Sequence, residues 1–288
     1  MKPASFAYES MGTHWEVSIW DSLEKDQFQK LKQEIIAMSE IFDNTYSRFI
    51  PTSLVSQISS KTGNVEVPGD FIQMIKLYEQ FFKISQKKVN PLIGNTLSDM
   101  GYDQYYSLKK KDTIQHTPDL LETVTIIDSN HIKIKQPVLF DFGGLGKGYF
   151  VDKITHYLLK NNLKHILVNG SGDINYQSDT PITVGLEHPL DTTKVIGTLE
   201  FSRGAMCSSA TNRRAWGEYH HIIDPITLNS PSEILAAWVT TDSAALADGL
   251  TTALFFVPPE QFLSHYKFEY LLLNNNLKVK RSPGFKAV

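Results

Sequence analysis

A single cysteine in 288 residues, Cys207, excludes an internal disulfide and any zinc site built on cysteine. Long apolar runs are missing too. None approaches the ~20 residues a helix needs to cross a bilayer, so no transmembrane segment is expected. There is little excess of either charge: 28 Lys and Arg against 31 Asp and Glu leave a formal net charge of −3. Without polybasic character, neither nucleic acid nor an anionic membrane surface is an expected partner. The first twenty residues hold one lysine and no apolar stretch before Trp15, which does not read as a signal peptide, and no lipid-anchor cysteine lies near. The expected location is therefore cytoplasmic for the chain as it stands, or periplasmic or membrane-anchored if a leader has been removed. What is present suits a folded protein. Hydrophobic residues make up 41% and charged residues 20%, enough apolar material for a core. At ~150 residues per domain, the expectation is one domain over 1–288, with two intimately packed subdomains as the alternative.

Periodicity alternates between strand and helix. Trp15, Val17 and Ile19 alternate with polar residues, as in a half-buried strand. Phe28, Leu31, Ile35, Met38 and Phe42 recur at steps of three and four, the stripe of an amphipathic helix. NTYSRFIPTS, from Asn44, reads as a loop, and a second helix is expected over Phe71 to Gln86. VNPLIGNTLSDMGYD (Val89 to Asp103) reads as irregular. Strands are expected at Val124 to Ile127 and around Ile132 and Ile134, then a glycine-rich turn from Gly143 to Gly148 and a helix to about Asn161. Further strands are expected at His165 to Val168, Ile182 to Leu186, Val195 to Phe201 and Ala236 to Val239. A helix over Ser243 to Phe256 and strands at Tyr270 to Leu273 and Leu277 to Lys280 complete an α+β unit.

Three segments carry chemistry. In Asp141-Phe142-Gly143-Gly144-Leu145-Gly146-Lys147-Gly148, four glycines ahead of a helix allow close backbone approach, and a helix N-terminus favours phosphate. A Walker loop is excluded because Gly148 follows the lysine, and the G-x-G-x-x-G spacing is not met. A tight turn without a ligand explains the glycines equally well. Asp248 and Thr252, four residues apart in ALADGLTTALFF, share a helix face and offer hard oxygens that suit Mg²⁺. The plain alternative is a threonine bonded back to its own helix. The helix is otherwise largely apolar, however, and a carboxylate buried there needs a partner. In Tyr219-His220-His221-Ile222-Ile223-Asp224-Pro225, neighbouring histidines fall on opposite sides of a strand, so only one can face a site and act as a base.

In order along the chain, these segments resemble the ApbE-type FAD:protein FMN transferases, and the resemblance covers nearly the whole sequence. Met11-Gly12-Thr13 is similar to the family's opening Met-Gly-Thr, and SRFIPTS (Ser47 to Ser53) to its Ser-x-[Tyr/Phe]-x-Pro-x-Ser segment. Met100-Gly101-Tyr102 stands where the family has Trp-Gly-Phe. DFGGLGKGYFVD matches Asp-x-Gly-Gly-Ile-Ala-Lys-Gly-Tyr-x-x-Asp almost residue for residue. LVNGSGDI, SSATNRR, HIIDP and ALADGLTTAL follow in the same order.

The resemblance implies a mixed α/β unit of the flavin transferase type. It also implies a reaction: FAD is split, AMP leaves, and FMN is joined by a phosphoester to a Thr in the flavinylation motif of an acceptor flavoprotein. By the same resemblance, Mg²⁺ is held by Asp248, Thr252 and the Gly144 carbonyl. His221 activates the acceptor hydroxyl, and Met11, Phe49, Met100, Gly101, Tyr102, Asp141, Lys147 and Ile222 bind the flavin nucleotide. The sequence departs from the family pattern at Asn90 (usually Asp), Met100 (usually aromatic), Ser209-Ala210 (Ser-Gly) and Leu228-Asn229 (the Thr-Gly region). The rival functions are a Mg²⁺-dependent FAD pyrophosphatase with water as acceptor, and a non-catalytic FAD-binding protein.

Overall fold

The computed structural model describes residues 2–288. The chain opens with the hairpin β1 (Ala4–Ser10) and β2 (Thr13–Ile19), then α1 (Lys25–Tyr46), α2 (Leu54–Ile58), β3 (Gly63–Glu66), α3 (Gly69–Ile84) and α4 (Gly94–Asp99). A short α5 (Leu120–Thr123) leads into β4 (Val124–Ile126) and β5 (His131–Ile134), which β3 joins in a three-stranded antiparallel sheet. After α6 (Gly146–Lys160) come β6 (Ile166–Gly170), β7 (Asp173–His188) and β8 (Asp191–Ala210), and then the two-residue strands β9 (Ala215–Trp216) and β10 (Tyr219–His220). The chain closes with β11 (Ile234–Thr241), α7 (Ala244–Ala253), α8 (Pro259–Leu263), β12 (Glu269–Asn274) and β13 (Val279–Arg281).

One eight-stranded sheet in the order β1-β2-β6-β7-β8-β11-β12-β13 organises the molecule, and every neighbouring pair is antiparallel. The mixed α/β class expected from the sequence is the class found. On β2 the alternating Trp15, Val17 and Ile19 point into the core, against α1 residues Leu31, Ile35 and Phe42. Trp15 meets Phe150 of α6 edge-on at 5.5 Å, which ties sheet to helix.

Several elements differ from expectation. Asn44 and Thr45 belong to α1, which continues through Tyr46 on its buried stripe. The irregular segment contains α4, and the expected strand fragments around Ile182 and Val195 are parts of one long hairpin, β7–β8. Its outer part lies beyond the main core, where Leu186, Leu199 and Phe201 pack on Phe285 and the backbone of Val288 pairs with Thr198.

Two buried contacts hold α6 and α7 together. Asp152 of α6 accepts hydrogen bonds from the backbone N–H groups of Ala244 (2.8 Å) and Ala245 (3.0 Å), the Ser243 hydroxyl (2.7 Å) and the Asn175 amide (2.9 Å). A carboxylate at the start of α7 thus satisfies the orphan donors of that helix. One turn away the helices nearly touch at Gly148, where a Cβ would lie 2.1 Å from the Ala244 carbonyl oxygen and 2.7 Å from Asp248 Cβ. Backbone cannot yield by that much. Gly148→Ala is expected to lower stability by about 3 kcal/mol, read as a lower urea midpoint. An unchanged midpoint would show that the helices are free to separate.

Candidate active site

The glycine turn is held from two sides. Asp141 N–H donates to Pro91 (2.7 Å) and Gly94 N–H to Leu139 (3.1 Å), so Val89 to Gly94 runs alongside the segment entering the turn. Asp141 Oδ1 then accepts from Gly143 N–H at 2.7 Å, closing the loop that starts α6. Above it lies a cleft of about 700 Å³ lined by the end of α1, this turn, α7, and the loops carrying Phe49, Tyr102 and His221. The cleft walls include Met11, Phe49, Tyr102, Asp141, Gly144, Lys147, His221, Ile222, Asp248 and Thr252, ten of the twelve residues singled out from the sequence.

Met100 and Gly101 are not among them, which corrects the expectation that they contact the flavin. Met100 is fully buried beside Leu97, Trp216 and Ile223. Gly101 sits at φ 105°, and a Cβ there would come within 2.6 Å of the Lys109 nitrogen. Both support Tyr102 from behind. The aromatic bulk missing at Met100 is supplied by Trp216, which stacks on Tyr102 at 5.8 Å and donates its indole N–H to the Met100 carbonyl at 3.1 Å.

At the metal-binding candidates, Thr252 Oγ1 lies 3.2 Å from the Gly144 carbonyl oxygen, and Asp248 Oδ2 accepts from Gly148 N–H at 2.9 Å. Thr251, the other threonine, bonds back to the Asp248 carbonyl and faces away. A 3.2 Å oxygen pair is close to the ~3 Å edge of an octahedron with ~2.1 Å bonds. The Tyr78 hydroxyl, buried and without a partner, faces Gly144. Burial raises the Asp248 pKa while Lys147 and the Gly148 N–H oppose the rise, so this carboxylate is short of positive charge. Among the described residues no group of three or more His, Cys, Asp or Glu gathers anywhere. One carboxylate with neutral oxygens therefore fits Mg²⁺, a hard ion that completes its shell with water and substrate.

The two histidines face different ways, although β10 ends at His220 and His221 lies in the bend after it. His220 is buried, its Nε2 at 3.0 Å from the Pro231 carbonyl and its Nδ1 near Ile222 N–H, away from the cleft. His221 faces the cleft. Its Nδ1 donates to the Arg213 carbonyl at 2.8 Å, which fixes the tautomer and leaves Nε2 with a free lone pair. The ring is part of the cleft wall and so only half-buried by surface, yet protein crowds it on its other sides. Burial first, then the charge of Arg214 and the neighbouring His220, push its pKa down to about 3, so the imidazole is neutral.

Several lining residues escaped the sequence reading. Arg48, beside Phe49 in the quoted loop, pairs with Asp141 and lies over the rings of Phe49 (4.3 Å) and Tyr102 (4.9 Å). Tyr106 stacks on Phe49 at 5.3 Å and extends the aromatic wall. Asp43 accepts from the Ser10 hydroxyl and the Met11 N–H, holding Met11 at φ 53°. Asn90, where the family usually has Asp, spends its amide on the Pro118 carbonyl and its oxygen on Leu92 N–H, a pairing an aspartate could only half make. Leu228 adopts φ 57°, a backbone state glycine holds more easily. Lining charges number five cations (Arg48, Lys88, Lys147, Arg213, Arg214) against three carboxylates (Asp43, Asp141, Asp248). A chain of net negative charge thus carries a cationic cleft with an aromatic wall, suited to an anionic ligand bearing a flat ring.

Cys207 stands apart from this chemistry. It is fully buried on β8 with its Sγ 3.4 Å from the Ala244 carbonyl, and burial pushes its thiol well above the ordinary range. The thiol is expected to ignore a disulfide reagent in native protein and to react once denaturant opens the fold. Rapid native labelling would contradict this burial.

Comparison with known proteins places the chain. The curated FAD:protein FMN transferase of Klebsiella pneumoniae (strain 342) is 28% identical over 129 residues, covering 42% of this chain and 40% of that protein. The one from Chlamydia trachomatis serovar D is 24% identical over 253 residues, covering 81% and 78%. Among solved structures, the ApbE protein of Thermotoga maritima superimposes with a TM-score of 0.87 at 21% identity, over 99% of this chain and 98% of that one. The flavin transferase ApbE of Vibrio cholerae does so with 0.83 at 19% identity, over 99% and 98%, and these two likenesses concern the fold. The ApbE family model itself matches residues 11–271, from the left-handed Met11 to the middle of β12, and with the cleft lying inside that span the chain belongs to the ApbE family.

Proposed function

We propose that this protein is an FAD:protein FMN transferase that moves FMN from FAD to a threonine hydroxyl of an acceptor flavoprotein and releases AMP. One observation carries the reading. The Gly144, Thr252 and Asp248 oxygens share a cleft with a histidine whose Nε2 is free to take a proton. The curated relatives bear the name of this activity.

In this reading Phe49, Tyr102 and Tyr106 pack the isoalloxazine, while the cationic walls receive the pyrophosphate. Gly144, Asp248 and Thr252 would hold Mg²⁺, which offsets charge on the phosphoryl oxygens. His221 Nε2 accepts the proton of the threonine hydroxyl as its oxygen bonds to the FMN phosphorus. The bond from that phosphorus to the bridging oxygen breaks, and its electron pair leaves with AMP. The Arg213 carbonyl keeps the imidazole aimed throughout.

Incubation with FAD, Mg²⁺ and a protein carrying a threonine flavinylation motif tests this. A covalently fluorescent acceptor is the expected product. Free FMN and AMP alone would mean that water is the acceptor, and FAD bound but intact would leave a flavin carrier.

A further inference from the structure

Four of the five cations lining the cleft already have carboxylate partners. Arg48 pairs with Asp141, Lys88 with Asp224 at 3.0 Å, Lys147 with Asp173, and Arg213 with Glu187 at 2.7 Å. Among the described residues Arg214 is the one lining cation with neither an ion pair nor a side-chain hydrogen bond. It sits in the turn between β8 and β9 at φ 53°, a left-handed backbone that an arginine seldom takes and that usually needs a reason. Its neighbour Arg213 provides the carbonyl that aims His221. The Arg214 charge acts on two cleft groups: it adds to the burial that lowers the His221 pKa and opposes the burial that raises the Tyr102 phenol. The guanidinium lines the same cleft as the aromatic wall and the base.

We propose that Arg214 is a catalytic residue that contacts the pyrophosphate of FAD directly, as the free cation meeting the phosphoryl group that is transferred. The assignment rests on the transferase reading, in which the flavin ring lies on the aromatic wall and the reacting phosphorus near His221. The ribityl chain carries the pyrophosphate from the ring to the part of the cleft that Arg214 and His221 share, and a planar fork of donors matches its oxygens. The paired cations shape the walls, whereas Arg214 has its full charge available as the bond to AMP breaks and charge builds on the leaving phosphate.

Inorganic pyrophosphate, riboflavin and FAD are the probes, applied to the full chain and to Arg214→Gln, Arg214→Lys and Arg203→Gln. Arg214→Gln is expected to weaken pyrophosphate binding about tenfold, the loss of one charge-assisted contact. Arg214→Lys should recover part of that loss, and Arg203→Gln, an exposed β8 arginine paired with Asp179 outside the cleft, should bind pyrophosphate as the wild type does. Riboflavin has no phosphate, so unchanged riboflavin affinity in Arg214→Gln shows that the wall is intact. FMN transfer by Arg214→Gln should fall by ~10²–10³ in kcat. Equal pyrophosphate affinity in wild type and Arg214→Gln overturns the inference, as does an equal loss in Arg203→Gln. Lost pyrophosphate affinity in Arg214→Gln alone, with a wild type that leaves FAD intact, upholds the Arg214 contact and sinks the transferase reading instead.

Discussion

Asp248→Asn is expected to cut FMN transfer by about three orders of magnitude while the protein stays folded. The side chain is 3% exposed, and its environment already disfavours the charged form. A neutral amide of the same shape can still accept the Gly148 N–H, and it removes the desolvation penalty, so a thermal midpoint at or above that of the wild type is expected. What it removes is the carboxylate charge that shares the cleft with the Gly144–Thr252 oxygen pair. The same argument sets the metal's behaviour. One carboxylate, one hydroxyl and one carbonyl are too few for tight Mg²⁺ binding, which wants six oxygens and borrows phosphate. Calorimetric titration should give weak Mg²⁺ binding without FAD and much tighter binding with it, the coupling being reciprocal. EDTA should stop turnover. Identical Mg²⁺ affinities with and without FAD, or normal transfer by Asp248→Asn, would remove the metal site from this cleft.

His221→Ala should lower transfer by ~10²–10⁴-fold and leave FAD affinity nearly untouched. In the proposed mechanism the imidazole acts on the acceptor's proton, whereas FAD is held through its ring and its phosphates. His220→Ala should affect folding more than chemistry, since the His220 ring is held by backbone at Pro231 and Ile222, away from the cleft. If His220→Ala carries the catalytic defect, the base has been assigned to the wrong neighbour. A pH profile adds a second check. Protonated His221 cannot take a proton, so rate is lost as pH falls through its pKa, and in the free enzyme that pKa is depressed to about 3. With Mg²⁺ saturating, so that Asp248 stays ionised, kcat/KM should hold well below the pH of 6.5 where an ordinary histidine titrates. Bound pyrophosphate offsets the Arg214 charge and raises the pKa, so the acid limb of kcat should lie at higher pH than that of kcat/KM. Coincident limbs near the ordinary histidine value would contradict the depressed pKa.

Local pattern made much of this legible. The stripe from Phe28 to Phe42 and the alternation at Trp15 to Ile19 bury the faces they announce. Asp248 and Thr252 sit four apart on α7, and both line the cleft. Other features depend on partners far along the chain. Nothing near Met100 tells that Trp216 supplies the aromatic bulk there, or that Arg48 will lie on Phe49 and pair with Asp141. The β7–β8 hairpin is legible only in fragments, because its polar outer residues are held by cross-strand pairing rather than by a continuous apolar face. Asp152, inside the quoted DFGGLGKGYFVD motif, acts through its grip on the start of α7, which only the packing of two helices reveals.

The sheet order also governs when a growing chain can acquire its chemistry. Strand β2 lies beside β6, so Trp15 finds Gly170 only after more than half of the chain has been synthesised. The cleft wall is drawn from residues as early as Met11 and as late as Phe256. A nascent chain on the ribosome therefore possesses the aromatic wall and the glycine turn well before Asp248 and Thr252 emerge. Any dinucleotide it captures at that stage meets no complete oxygen set, and cleavage waits for the last quarter of translation. Once α7 has docked, nucleotide binding stabilises elements from both ends of the chain together, because binding to the native state alone shifts the whole folding equilibrium.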